Sequence, residues 1–99
     1  MAFTDDYDFH ELKNEAEQLV LQELERQLEE CKDEEFCRCS DCILDMAAMA
    51  FNSVKPIYRY SLLGTLYAAQ AMDDKAYAET VKQAVAGAIS KVKSNPSHD

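Results

Sequence analysis

Residues 31–58 read CKDEEFCRCSDCILDMAAMAFNSVKPIY, and this stretch decides the fold. Its first part, Cys31 to Cys42, is too polar and too rich in cysteine to be a core element, so it reads as a loop organised by its thiols. Ser40 or Asp41 can cap a helix that runs from about Asp41 to Val54, and Lys55-Pro56 stops it because proline disfavours a helical residue before it. Ile43, Leu44, Met46, Ala47, Ala48, Met49, Ala50, Phe51 and Val54 leave almost no polar face. A helix apolar all round is buried, in a small protein often between subunits. Pro56 to Tyr60 then reads as a short extended connector, the one segment that looks non-helical.

Upstream, Leu12, Ala16, Leu19, Val20, Leu24 and Leu28 recur at three- and four-residue steps between Asp8 and Cys31. That spacing predicts an amphipathic helix, with Thr4, Asp5, Asp6 and Asp8 as candidate caps and Phe3 and Tyr7 packing just before it. Its far end carries Glu29, Glu30, Asp33, Glu34 and Glu35, where the helix dipole prefers cations, so something else must hold that end. Downstream, Leu62 to Met72 is apolar and rich in alanine, and Asp73 and Asp74 either cap a separate last helix or lie on one long helix from Ser61. From Tyr77, the positions Val81, Ala84, Val85, Ala88, Ile89 and Val92 form a heptad-like stripe suited to a helix pair, ending at Lys91, Lys93 and the Ser94-Asn95-Pro96 stop.

Composition agrees with an all-α fold. Thirteen alanines stand against eleven Val, Ile and Thr residues, and the 99-residue chain has only two glycines and two prolines. Without repeats or low-complexity tracts, it reads as one domain spanning residues 1–99. So small a core needs a disulfide, a metal or a second subunit to supplement it. Ten basic against nineteen acidic residues give a net charge of -9, which argues against DNA, RNA and anionic membranes. A small anionic ligand is not excluded, because a few local cations overrule a distant field. No apolar run approaches a membrane span, and Met1 to Asp8 is acidic and unlike a secretory leader, so a cytoplasmic location is expected.

The cysteines follow C-x5-C-x-C-x2-C, and Cys39-Ser40-Asp41-Cys42 has the knuckle spacing that turns two thiolates towards one tetrahedral ion. Zinc on Cys31, Cys37, Cys39 and Cys42 is the leading expectation, stapling the two helices across the loop. Three cysteines with another ligand, or a disulfide or redox pair, are the alternatives. Lys32 and Arg38 are the only local compensation for the negative charge.

Cys37, Cys39, Cys42, Asp45, Asn52, Pro56 and Tyr58 together form a pattern that resembles the late competence protein ComFB family, over roughly residues 12–60. The resemblance implies a small helical zinc-containing homodimer. Some members receive cyclic dinucleotides such as c-di-GMP and are linked to competence, pili and motility.

The residues offer such a ligand cations and stacking surfaces in Lys55, Tyr58, Arg59 and Tyr60, with Arg38 as a further cation. The plainer reading makes the tyrosines packing residues and the cations solvated or paired. Asp45 and Asn52 read as structural polar residues, Asp45 as a cap or an acceptor from Arg38, Asn52 as a helix end. No Ser-His-Asp set, phosphate loop or carboxylate pair points to an enzyme. The expected function is a non-enzymatic signalling protein binding c-di-GMP or c-di-AMP. The alternative is an adaptor homodimer with structural zinc and no nucleotide.

Overall fold

A computed structural model describes residues 2–60 and 74–96. Phe3–Asp6 forms a single helical turn, α1, and Phe9–Glu11 a 3-10 turn capped by Asp8, whose carboxylate accepts from the His10 N–H at 3.0 Å. β1 (Lys13–Asn14) leads straight into α2 (Glu15–Glu30). After the cysteine loop come α3 (Ser40–Ser53), β2 (Tyr58–Arg59) and α4 (Lys75–Ser94). β1 and β2 pair antiparallel, Lys13 opposite Arg59 and Asn14 opposite Tyr58. Among the described residues the fold is helical with this one small ribbon.

The first long helix therefore starts at Glu15 rather than between Thr4 and Asp8. Asn14 provides the cap: its side-chain oxygen accepts from the Ala16 N–H at 3.2 Å, and Glu15 and Glu17 put negative charge in the first turn where the dipole favours it. Leu12, expected on the apolar stripe, lies ahead of the helix and is 44% exposed. The apolar steps reach it only by coincidence of spacing, because the backbone at Leu12 is extended. Lys13 and Asn14 are extended too, so the 56–60 connector is not the one non-helical stretch and has a partner strand.

α3 and α4 make the most extensive interface, and α2 packs on both. Ala16, Val20 and Leu24 from α2 meet Cys42, Met46, Ala47 and Ala50 from α3 and Val81, Val85, Ala88, Ile89 and Val92 from α4 in one core. The spacing of these side chains is the helical stripe that the sequence shows. α3 is not buried all round: Leu44 is 63% exposed and Ala48 also faces out, so a single chain covers only one side of that helix.

One helix start differs from expectation, and another decides between the two readings the sequence leaves open. α3 begins with Cys39 at the cap position and no side-chain cap, rather than with Ser40 or Asp41 capping it. α4 begins at Lys75, because Asp74 is extended and its carboxylate accepts from the Ala76 N–H at 2.9 Å, so no continuous helix runs from Ser61. The remainder of that expectation, Leu62 to Met72, and the three C-terminal residues lie outside the described residues. At the other end of α4, Lys91 and Lys93 complement the dipole and the chain turns at Asn95.

Candidate metal centre

The sulfurs of Cys37, Cys39 and Cys42 all lie within 4.8 Å of one another. Local chain geometry produces this. Cys39 occupies the cap of α3, where the Ile43 N–H donates to its carbonyl at 3.0 Å, and Cys42 falls in the first turn, fully buried against the core. Two positions back along the loop, Cys37 folds over the same turn.

Backbone N–H groups aim at these sulfurs. The Cys39 thiol is held below its ordinary value, first by the Cys42 N–H, then by the Cys37 thiol, with the Cys42 thiol and the Asp41 N–H adding, against loss of water. Cys37 moves the other way. The Cys39 N–H pulls its value down, but loss of water and thiol hydrogen bonds with Cys39 and Cys42 together outweigh that and raise it. Three converging sulfurs on a helix start, met by backbone donors, are a donor set that suits a soft or borderline cation.

Cys31 stands outside this trio. Its thiol lies 3.7 Å from the Leu28 carbonyl and 3.8 Å from an Arg38 guanidinium nitrogen. Arg38 explains how the acidic end of α2 is held: it donates to the carbonyls of Leu28 at 3.1 Å and Cys31 at 2.7 Å, capping a helix that has no cation of its own there. The same guanidinium stacks on Phe36 at 4.3 Å, and Lys93 approaches that ring at 5.4 Å while pairing with Glu34 at 2.7 Å. The cysteine loop is thus joined to α2 through Arg38 and to α4 through Lys93. Asp45 is half-buried one turn beyond Cys42, and Asn52 is exposed near the end of α3.

The other named residues lie elsewhere. Along β2 the side chains alternate: Tyr58 and Tyr60 are 61% and 65% exposed, while Arg59 turns inward and pairs with Glu15 at the start of α2. Beside that pair lies a cleft of about 470 Å³, lined by His10, Lys13, Glu17 and Gln18 among others. Arg38 lines a different cleft, with Leu21, Leu28 and Ile43. Lys55 is exposed, and its carbonyl accepts from the Tyr77 hydroxyl at 2.6 Å. Arg59 thus faces the opposite side from Tyr58 and Tyr60, and Arg38 lines a cleft that none of the three borders. Sequence reasoning missed Asn14 and Glu15, although Asn14-x-x-Glu17 is a helix-start signature.

Comparison with known proteins gives a consistent answer. A family model described as late competence development protein ComFB matches residues 13–96. The chain is also similar to the solved structure titled "Structural characterization of the late competence protein ComFB from Bacillus subtilis", with TM-score 0.66 and 24% identity, covering 87% of this chain and 92% of that one. At that identity the structural likeness shows a shared fold. No curated protein matches the chain.

Proposed function

The chain belongs to the late competence development protein ComFB family, and on that premise we propose that it is a non-enzymatic, zinc-stabilised signalling protein that binds a cyclic dinucleotide. The trio of Cys37, Cys39 and Cys42 fits zinc by donor type and proximity. When bound, zinc supplies a structural cross-link between the loop and the first turn of α3. The ion belongs to the trio with a fourth ligand from outside it. Cys31 would have to leave Leu28 and Arg38 to serve as that ligand.

The observation that carries the ligand reading is the exposed pair Tyr58 and Tyr60, which flank Arg59 on one side of the extended segment. Two rings on one strand side offer stacking platforms for purines, and Lys55 stands nearby in sequence as a cation. c-di-GMP is the first candidate and c-di-AMP the second. A homodimer matches the two-fold symmetry of such a ligand, and the exposed Leu21 on α2 and Leu44 on α3 supply apolar surface for a second copy to cover. The single domain works in the cytoplasm, where thiols stay reduced, and passes its ligand state to competence, pili or motility functions. Its net charge of -9 opposes direct contact with nucleic acid or anionic membrane, and no helix among the described residues is long and apolar enough to cross a membrane.

Isothermal titration of c-di-GMP into the zinc-loaded protein tests this. Saturable binding that weakens about tenfold or more in Tyr58→Ala/Tyr60→Ala is the expected result, since stacking on an aromatic contributes roughly 1–3 kcal/mol per base. Equal affinity in both proteins contradicts the assignment.

A second reading, an adaptor homodimer without nucleotide, is favoured by one observation. Arg59, the cation between the two tyrosines, is already paired with Glu15, so a phosphate would have to displace a carboxylate to use it. In that case no cyclic dinucleotide binds, and zinc and dimer remain.

A further inference from the structure

From the structure we infer that Phe3–Leu12, FTDDYDFHEL, is a docking element for a protein partner that presents an apolar groove edged by Lys or Arg side chains. Phe3, Tyr7 and Phe9 are 66%, 61% and 43% exposed, and none of them belongs to the core or to the side chains packed on it. They contact each other instead, with ring centroids 4.9 Å apart for Phe3 and Tyr7, 5.5 Å for Phe3 and Phe9, and 6.3 Å for Tyr7 and Phe9. Leu12, at the end of the segment, is 44% exposed as well. Three mutually packed aromatic rings facing water form the kind of patch that marks an interaction site, and aromatic anchors dominate such sites.

Three further observations define the occupant. Asp5, Asp6, Asp8 and Glu11 are interspersed with the rings along the same short segment and are all exposed, so the element is negative and calls for cations around the partner's groove. The same acids repel the phosphates of nucleic acid and anionic lipid, which leaves a protein surface. The segment also lies ahead of residue 13, where the match to the family model begins, so the shared domain does not account for it.

The patch is shaped in advance by local hydrogen bonds. The Asp5 N–H donates to the Ala2 carbonyl at 2.9 Å, the His10 N–H to the Asp8 carboxylate at 3.0 Å, and the Leu12 N–H to the Phe9 carbonyl at 3.1 Å. These turns bring the three rings together, and the segment runs directly into β1, which anchors it to the body. A preformed element loses less conformational freedom on docking than a disordered one.

The test uses the zinc-loaded full chain and a fluorescently labelled amphipathic peptide with leucines on one face and lysines along its edges. Its controls are a leucine and glutamate counterpart of equal length and vesicles rich in phosphatidylglycerol. Saturable binding of the lysine peptide alone is expected. Phe3→Ser/Tyr7→Ser/Phe9→Ser should weaken it at least tenfold with helicity and unfolding midpoint unchanged, and Asp5→Asn/Asp6→Asn/Glu11→Gln should flatten its salt dependence. Unchanged binding in the aromatic triple variant overturns the proposal, as does equal binding of the glutamate peptide. Vesicle binding lost in that variant assigns the patch to membrane, and a changed sedimentation mass assigns it to a second copy; either overturns it. Titration of c-di-GMP into the same variant is read separately and bears only on the cyclic dinucleotide reading.

Discussion

The Asn14 side chain accepts the backbone N–H of Ile57 at 2.8 Å across 43 positions of sequence, with the same oxygen that caps α2 at Ala16. The Glu15 N–H returns a bond to the Ile57 carbonyl at 2.8 Å, so the start of α2 and the β2 connector form one unit. Asn14→Ala removes a cap and leaves the Ile57 N–H without its acceptor, and we expect a loss of about 2 kcal/mol in urea unfolding. Asn14→Asp keeps the acceptor and should retain most of that stability.

Metal content distinguishes the trio from the fourth cysteine. Cys37→Ser, Cys39→Ser and Cys42→Ser should each lose bound zinc and lower the midpoint, while Cys31→Ser keeps near-stoichiometric metal, because its thiol is engaged at the end of α2. Chelator treatment of the native protein should reproduce the cysteine-to-serine losses. Loss of metal in Cys31→Ser to the same degree would place that thiol in the coordination sphere.

The Glu23 carboxyl is held below the usual glutamate range, first by the hydrogen bond from Arg26, with Gln27 and the charges of Arg26 and Lys82 adding against the opposing effect of burial. A carboxylate whose folded value is depressed contributes stability that is fully present above its unfolded value and lost as pH falls through the folded one. Glu23→Gln should therefore be less stable than the native protein near neutral pH. The gap should close on acidification below the usual glutamate range, read as the difference between two urea titrations so that any acid release of metal cancels.

Gly87 sits inside α4, exposed, and a Cβ added there meets nothing within 4 Å. Gly87→Ala should raise stability by about 0.5–1 kcal/mol through helix propensity and a less free unfolded chain. A weakened dimer in the same variant would show that a second chain packs on this face.

Periodicity made the helices legible. The stripe Val81, Val85, Ala88, Ile89, Val92 and the alternation at Tyr58 to Tyr60 are local patterns whose spacing alone says which side chains face inward. The clustering of Cys37, Cys39 and Cys42 was legible for the same reason, since the spacing spans less than two helical turns. What was hidden depended on distant partners. Leu12 continued an apolar rhythm that the backbone does not follow, because Asn14 gains a bond to Ile57 by capping there. Arg38 read as a cation for a ligand, yet it serves the carbonyls at the end of α2, and only the return of the loop shows this. Arg59 read either as a ligand cation or as paired with the acidic surface, and only the fold supplies Glu15 as that pairing partner.

The most direct test of the central claim is thermal unfolding of the zinc-loaded protein under reducing conditions, with and without excess c-di-GMP and then c-di-AMP. A ligand that binds the folded state alone raises the midpoint with concentration, by about 2.7 kcal/mol of added stability at a hundredfold excess over Kd. We expect that rise with c-di-GMP and its loss in Tyr58→Ala/Tyr60→Ala. An unchanged midpoint with either nucleotide, in protein carrying its zinc and sedimenting as a dimer, would contradict the receptor reading and leave the adaptor.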